Sequence, residues 1–299
     1  MNKIKIAIVS KKGSFSDEWI DYCKQNGLIY KTINPYDTNV VENTSDCNIV
    51  MFPIFQHDYR DMIFAKSLMY SLQAAGKKVF PDFNTVWHFD DKIAQKYLLE
   101  AINAPLAPTY VFYTEEEAIE WAKSTTYPKV FKLKGGAGAS NVKLARNLKE
   151  ATDLIKKSFR NGFKQYRWKE VMKEEFRKYK NGKGSLKAVI RPIYLNFFKK
   201  FPTEFAHYHG NECGYAYFQE FIPNNNCDIR ICIVGDKAFG LKRLTRENDF
   251  RASGSGNIIY RKEEIDERCV KIAFEINKKL NMQSIAYDFV FDAGNNPLI

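Results

Sequence analysis

Three short stretches carry side chains that could handle phosphate and charge. The first is Lys132-Leu-Lys-Gly-Gly-Ala-Gly-Ala-Ser140. Extended chain alternates its faces, so Lys132 and Lys134 would share one side of a strand with Phe131 and Leu133 on the other. The small residues that follow would let backbone N–H groups close on an anion. That is one way to hold a phosphate, although a plain glycine-rich turn would be written in the same letters. The stretch lacks the Gly-Lys-Ser/Thr of a P-loop, and no helix-opening G-x-G-x-x-G follows Val9. The second stretch, Asp228-Ile-Arg-Ile-Cys-Ile-Val, puts Asp228, Arg230 and Cys232 on one face and Ile229, Ile231 and Ile233 on the other. A cross-strand ion pair and a charged reaction face would both look like this. The third sets Asp288 between Ala286 and Val290, with Ile285, Tyr287 and Phe289 opposite. A carboxylate in so apolar a strand calls for a cation, either an Arg or a hard metal such as magnesium.

The elements that must position these residues can be traced along the chain. Residues 5–9, 28–33, 47–52 and 79–80 read as strands, separated by helices over 16–26 and 59–75 that Gly27 and Gly76 close. Alternating strands and helices predict a parallel sheet covered on both faces, ending near residue 85. Asp90 is placed to cap a helix reaching about Ile102, and Pro105 and Pro108 then force extended chain. Thr114 to Glu117 is a capping box for the next helix. A strand over 129–134 leads into the glycine loop, and a charged helix follows residue 146. From residue 215 the pattern turns to β, with strands over 215–222, 228–234, 237–245 and 284–291; Gly235-Asp236 makes a two-residue hairpin turn between the second and third. A helix spans 263–280.

Composition bounds the rest. A chain of 299 residues, 45% hydrophobic and 27% charged, has material for two or three cores, and no apolar run approaches the about 18 residues of a membrane-spanning helix. The amino terminus has no signal-peptide core, so a cytoplasmic protein is expected. Six cysteines without a C-x-x-C pair fit reduced thiols. The net charge of +11 is local: residues 156–200 hold fifteen Lys or Arg against Glu170, Glu174 and Glu175, interleaved with aromatics. An anionic partner for that segment has to be considered, whether nucleic acid, membrane surface or acidic glycan.

Taken together, Asp91-Lys92 opening a helix, the stretch 128–142, Phe218-Gln-Glu-Phe-Ile-Pro, Asp228-Ile-Arg, Asn248-Asp-Phe-Arg251 and Tyr287-Asp-Phe-Val resemble, in order, the ATP-grasp superfamily. The likeness is greatest to its carboxylate-amine ligase branch, which includes the ribosomal-protein glutamate ligases, and it covers residues 88–299. It implies an α/β chain, α+β in its second half, in which an N-terminal lobe (1–88) precedes a central lobe (89–214, with a basic insertion over about 156–200) and a C-terminal lobe (215–299) that clasp ATP. It further implies that Lys92 and Lys132 contact ATP phosphates, with Lys134 a secondary candidate, beneath a flap that includes Gly135, Gly136, Gly138 and Ser140. The hinge Gln219, Glu220, Phe221 and Ile222 would read the adenine edge, with Glu220 as its carboxylate, or the loop 223–226 in its place. Arg230, Arg243 and Arg251 would line the catalytic face, Arg251 steadying the transferring phosphoryl group. Asp288 would be the first Mg2+ ligand. The family's further metal ligands, a Glu and an Asn or Ser, would fall beyond Ile299, so a longer gene product is expected.

The implied reaction is an ADP-forming ligation of a small-molecule carboxylate to an amine or thiol through an acyl phosphate, in cell-envelope polysaccharide or peptide modification, with ATP and Mg2+. The basic insertion could dock an anionic acceptor or could simply be a solvated arm. The alternative is a regulatory or assembly module that keeps the ATP cleft without turnover; nucleic-acid binding is disfavoured because the charge sits in one insertion. Oligomeric state stays open. His207-x-His209 with Glu212 and Cys213 could bind a transition metal, but no second pair supports it.

Overall fold

The computed structural model describes residues 4–135, 141–164, 168–180, 182, 184–198, 200, 208, 210–246 and 249–299. The first lobe is the expected open parallel sheet. Strands β1 (Lys5–Val9), β2 (Ile29–Ile33), β3 (Ile49–Met51) and β4 (Lys78–Phe80) lie in the order β2-β1-β3-β4. Alternation along β1 sends Ala7 and Val9 to one face, against Leu68, Met69 and Leu72 of helix α2 (Tyr59–Ala74). Ile6 and Ile8 go to the other face, against Cys23 of helix α1 (Phe15–Gln25). A short helix α3 (Phe83–Val86) ends the lobe.

Helix α4 (Lys92–Ala101) follows, and its cap is Asp91, one residue later than expected: the Asp91 carboxylate accepts from the N–H groups of Ile93 and Ala94 at 3.1 and 3.0 Å. Asp90 instead takes a left-handed backbone (φ 53°) that carries the chain into the cap. Although α4 precedes the central sheet in sequence, Leu99 buries in the C-terminal core beside Ile229, Ile231 and Phe289.

The central lobe is a four-stranded antiparallel sheet in the order β5-β8-β6-β7, built from β5 (Thr109–Phe112), β6 (Lys129–Lys132), β7 (Val142–Ala145) and β8 (Ala216–Glu220). Phe131 lies directly opposite Phe218 on the face covered by helices α5 (Glu115–Ser124) and α6 (Leu148–Phe159), whose Ala118, Ala122, Ala151 and Ile155 complete the core. Strand β6 ends at Lys132, two residues earlier than the alternation predicts. Between α6 and β8 the basic insertion forms two helices packed on each other, α7 (Trp168–Lys180) and α8 (Leu186–Phe197).

The C-terminal lobe is a five-stranded sheet, β11-β10-β9-β12-β13, made of β9 (Cys227–Val234), β10 (Lys237–Leu244), β11 (Ile258–Ile259), β12 (Ser284–Phe291) and β13 (Pro297–Leu298). Helix α9 (Glu267–Leu280), capped by Asp266 after a single tight turn at Lys262–Glu264, covers the face of Ile229, Ile231, Ile233, Tyr287 and Phe289. This lobe is clamped to the first by Gln283. Its side chain accepts from the Asp82 N–H (2.8 Å) and donates to the Val79 carbonyl (2.9 Å), and its own N–H reaches Thr85 Oγ1 (2.8 Å). Among the described residues no helix is long and apolar enough to cross a membrane, and none of the six cysteines is disulfide-bonded.

Candidate active site

The faces left free of helices define the site. On the central sheet, antiparallel register sets Lys132 opposite Tyr217 and Val130 opposite Gln219. The Lys132 ammonium donates to Gln219 Oε1, and Gln219 Nε2 donates to Thr109 Oγ1 at 3.1 Å, which in turn donates to the Ala107 carbonyl at 2.7 Å. A chain of hydrogen bonds thus aims one cation off the sheet floor. On the C-terminal sheet, Arg230 stands opposite Asp288 and Arg243 opposite Asp228, all on the face turned away from α9. Both pairs are bidentate: Arg230 reaches Asp288 at 2.6 and 2.8 Å, and Arg243 reaches Asp228 at 2.6 and 2.7 Å. Arg243 also touches Asp288 at 2.9 Å. Of the two readings open for Asp288, an Arg partner or a metal, the structure supplies the Arg.

The two faces meet. Burial, together with the neighbouring Lys92 ammonium, pulls the Lys132 pKa down to about 8 against the attraction of Asp288 across the cleft. Lys92, at the first turn of α4, is likewise lowered by burial, opposed by Asp90, Glu212 and Asp91. Withdrawal from water works against the Asp288 charge, yet the guanidiniums of Arg230 and Arg243 outweigh it and hold that carboxyl below the usual range. Lys132, whose ammonium is held by the uncharged Gln219, keeps its positive charge available to an incoming anion.

A pH dependence follows. An anion favours charged Lys132, so ATP affinity should be flat below about pH 8 and then fall by up to about tenfold per pH unit as Lys132 loses its proton. Calorimetry across pH 6–10 would show this, and Lys132→Arg, which stays charged, should flatten the profile. An unchanged profile in that variant would remove Lys132 from the phosphate site.

Other expected residues are placed differently. Because β6 ends at Lys132, Lys134 leaves the alternation. Its ammonium turns toward Asp91 at 3.9 Å, in a concavity lined also by Trp87, Tyr97 and Tyr113. Lys134 contributes its backbone instead: its carbonyl accepts from the Lys92 N–H at 3.0 Å, and its own N–H donates to Tyr215 Oη at 2.6 Å. Gly135 packs where a Cβ would lie 3.2 Å from Asp90 Oδ2. Gly136, Gly138, Ser140 and the His207-x-His209 pair lie outside the described residues. The Glu220 side chain is on the helix-covered face, gripped by Lys129 at 2.6 and 2.7 Å and by Tyr110 Oη at 3.2 Å, so the hinge carboxylate is turned away from Lys132. Phe221 and Ile222 are half-buried past the end of β8, Phe221 edge-on to Phe250 at 5.8 Å. Arg251 pairs with Asp249 (2.6 Å) and lines a groove with Val142, Lys143 and Leu144 of β7.

Lys129 is the residue that sequence reasoning passed over, and Asp228 was singled out without its partner Arg243. Lys129 was marked by its place on the Phe131 face, where a cation needs a buried acid, and Asp228 by sharing a face with Arg230.

Two sequence models match the chain in succession. The carbamoyl-phosphate synthase L chain ATP-binding domain matches residues 91–181, and the RimK-like ATP-grasp domain matches residues 215–299. The chain belongs to the ATP-grasp superfamily. Alpha-aminoadipate–LysW ligase LysX of Saccharolobus solfataricus is 24% identical over 229 residues, covering 76% of this chain and 66% of that protein. Among solved ATP-grasp structures, the RimK domain protein of Sphaerobacter thermophilus superposes with a TM-score of 0.56 at 14% identity, over 98% of this chain and 88% of the other. D-alanine–D-alanine ligase of Bacillus anthracis, complexed with ATP, gives 0.59 at 12% identity, over all of this chain and 85% of the other. ATP-grasp enzymes generally use Mg2+ with ATP. Mg2+ is commonly held by one or two carboxylates plus substrate phosphates, and Asp288 and Asp228 are the carboxylates of this face that could serve, each paired with arginine here. Among the described residues no three acidic, His or Cys side chains gather into a metal cluster.

Proposed function

We propose that the protein is an ADP-forming ligase that joins a small-molecule carboxylate to an amine or thiol in the cytoplasm. The observation that carries this is the convergence of Lys132, Arg230, Arg243 and Asp288 from two sheets, with Lys92 from helix α4, onto one cleft. In this reading Lys92 and Lys132 would hold the ATP phosphates, Asp288 would hold Mg2+, and Arg230 would orient the attacking carboxylate. Mg2+ supplies charge neutralisation on the phosphoryl oxygens. A carboxylate is a poor electrophile. Its oxygen attacks the γ-phosphorus, ADP leaves, and the resulting acyl phosphate then loses inorganic phosphate to the incoming nucleophile, whose proton is released. The likeness to ligases supports this reading of the cleft.

Incubation with ATP, Mg2+ and pooled amino acids and acidic sugars should release ADP and phosphate only when a matching acid and nucleophile are both present; AMP as product would overturn the proposal. A nucleotide-binding module without turnover is favoured by one observation, the double grip of Arg230 on Asp288. ATP binding without turnover by a full-length protein on every acceptor would establish it. In the ligase reading the basic α7–α8 hairpin serves to draw in an anionic acceptor.

A further inference from the structure

Helix α8 presents an apolar ridge to solvent. Leu186, Ile190, Ile193 and Phe197 are 54%, 52%, 45% and 78% exposed, and at about 100° per residue they project within about 60° of one another along about 16 Å. Val189, Pro192 and the half-buried Leu195 lie off the ridge and turn into the protein. Tyr194 and Phe198, both half exposed, stack at 4.6 Å beside the end of the ridge, and Phe197 meets Phe198 at 5.2 Å. Between Leu186 and Lys200 the sequence holds Lys187, Arg191, Lys199 and Lys200 and no Asp or Glu. Lys187 and Arg191 flank the ridge, and both are exposed.

We propose that the α7–α8 hairpin docks the protein on an anionic lipid surface, the α8 ridge entering the headgroup boundary while Lys187 and Arg191 meet acidic lipid. An apolar ridge with aromatics at its end and cations alongside fits a lipid headgroup boundary, where apolar and aromatic groups enter and basic groups meet acidic lipid. A second copy is opposed by the like charge of the two hairpins. This deepens the docking role given to the hairpin above, but it is read without ATP or acceptor and can fail while ligase chemistry stands.

The test is co-sedimentation of the whole chain with vesicles of phosphatidylcholine, alone or with one part in three phosphatidylglycerol. Binding to the anionic vesicles is expected, weakening as salt rises. The exposed triple variant Ile190→Ser/Ile193→Ser/Phe197→Ser, and separately Lys187→Glu/Arg191→Glu, should each cut it about tenfold or more, with ATP affinity reporting that the fold is intact. No binding to anionic vesicles would overturn the proposal. So would equal binding by the triple variant, equal binding to neutral vesicles, self-association through the ridge, or saturable binding to polyglutamate in place of vesicles, which would point to an acidic polypeptide.

Discussion

Replacing Asp288 by Asn is expected to lower ATP turnover by about 100-fold or more at saturating Mg2+, with the fold unchanged. The substitution keeps the shape and the acceptor oxygen but removes the charge that answers Arg230 and Arg243. Arg243 keeps Asp228 but Arg230 loses its carboxylate partner, so positive charge in the empty site rises while the affinity for Mg2+ falls. A titration of ADP release against Mg2+, beside a thermal melt, separates the two effects: the midpoint should move to higher Mg2+ and the melt should move little. Turnover equal to that of the unaltered protein would remove Asp288 from the metal site.

Lys129→Ala should destabilise the protein by about 2–3 kcal/mol, because it removes both hydrogen bonds of the Lys129 ammonium to a half-buried Glu220 carboxylate. The Lys129 side chain is 2% exposed and that of Glu220 27%, so the carboxylate keeps Tyr110 and some water while the space left by the lysine stem lies inside the core. Replacing both partners, as Lys129→Met with Glu220→Leu, should restore most of that stability, since an apolar pair of similar size leaves no buried charge. Urea unfolding measures both. ATP titration of the double variant then decides what Glu220 is for: unchanged affinity makes it a structural partner of Lys129, and lost affinity makes it a nucleotide contact.

That second experiment marks where the sequence was legible and where it was not. Strand alternation alone placed Lys132 opposite in facing to Phe131, and Arg230 opposite in facing to Ile231, because burial of one face enforces a period of two. It equally placed Lys129 with Phe131, but not Lys129 against Glu220, since that pairing depends on strands ninety-one residues apart coming into register. The same limit applies to the acids. Asp228 and Arg230 lie two residues apart and would be paired by eye, whereas the antiparallel register gives Arg230 to Asp288 and Arg243 to Asp228. Lys134 fails for a local reason: alternation continues on paper, but β6 stops at Lys132 and the chain bends toward Asp91. Motif order carries the family across these slips because each motif needs only its own residues.

The Gln283 clamp bears on how the chain is made. Its partners Val79, Asp82 and Thr85 lie 204, 201 and 198 residues earlier in the sequence. At about 5–20 residues per second, a ribosome would deliver Gln283 roughly 10–40 s after those partners. The first lobe has a complete sheet with helices on both faces and can fold as soon as it emerges, while its docking edge waits for the last strand but one. During that interval the carbonyl of Val79 and the N–H of Asp82 have only water to bond. Nascent chains stalled before residue 283 should therefore carry a folded first lobe that is not yet joined to the rest.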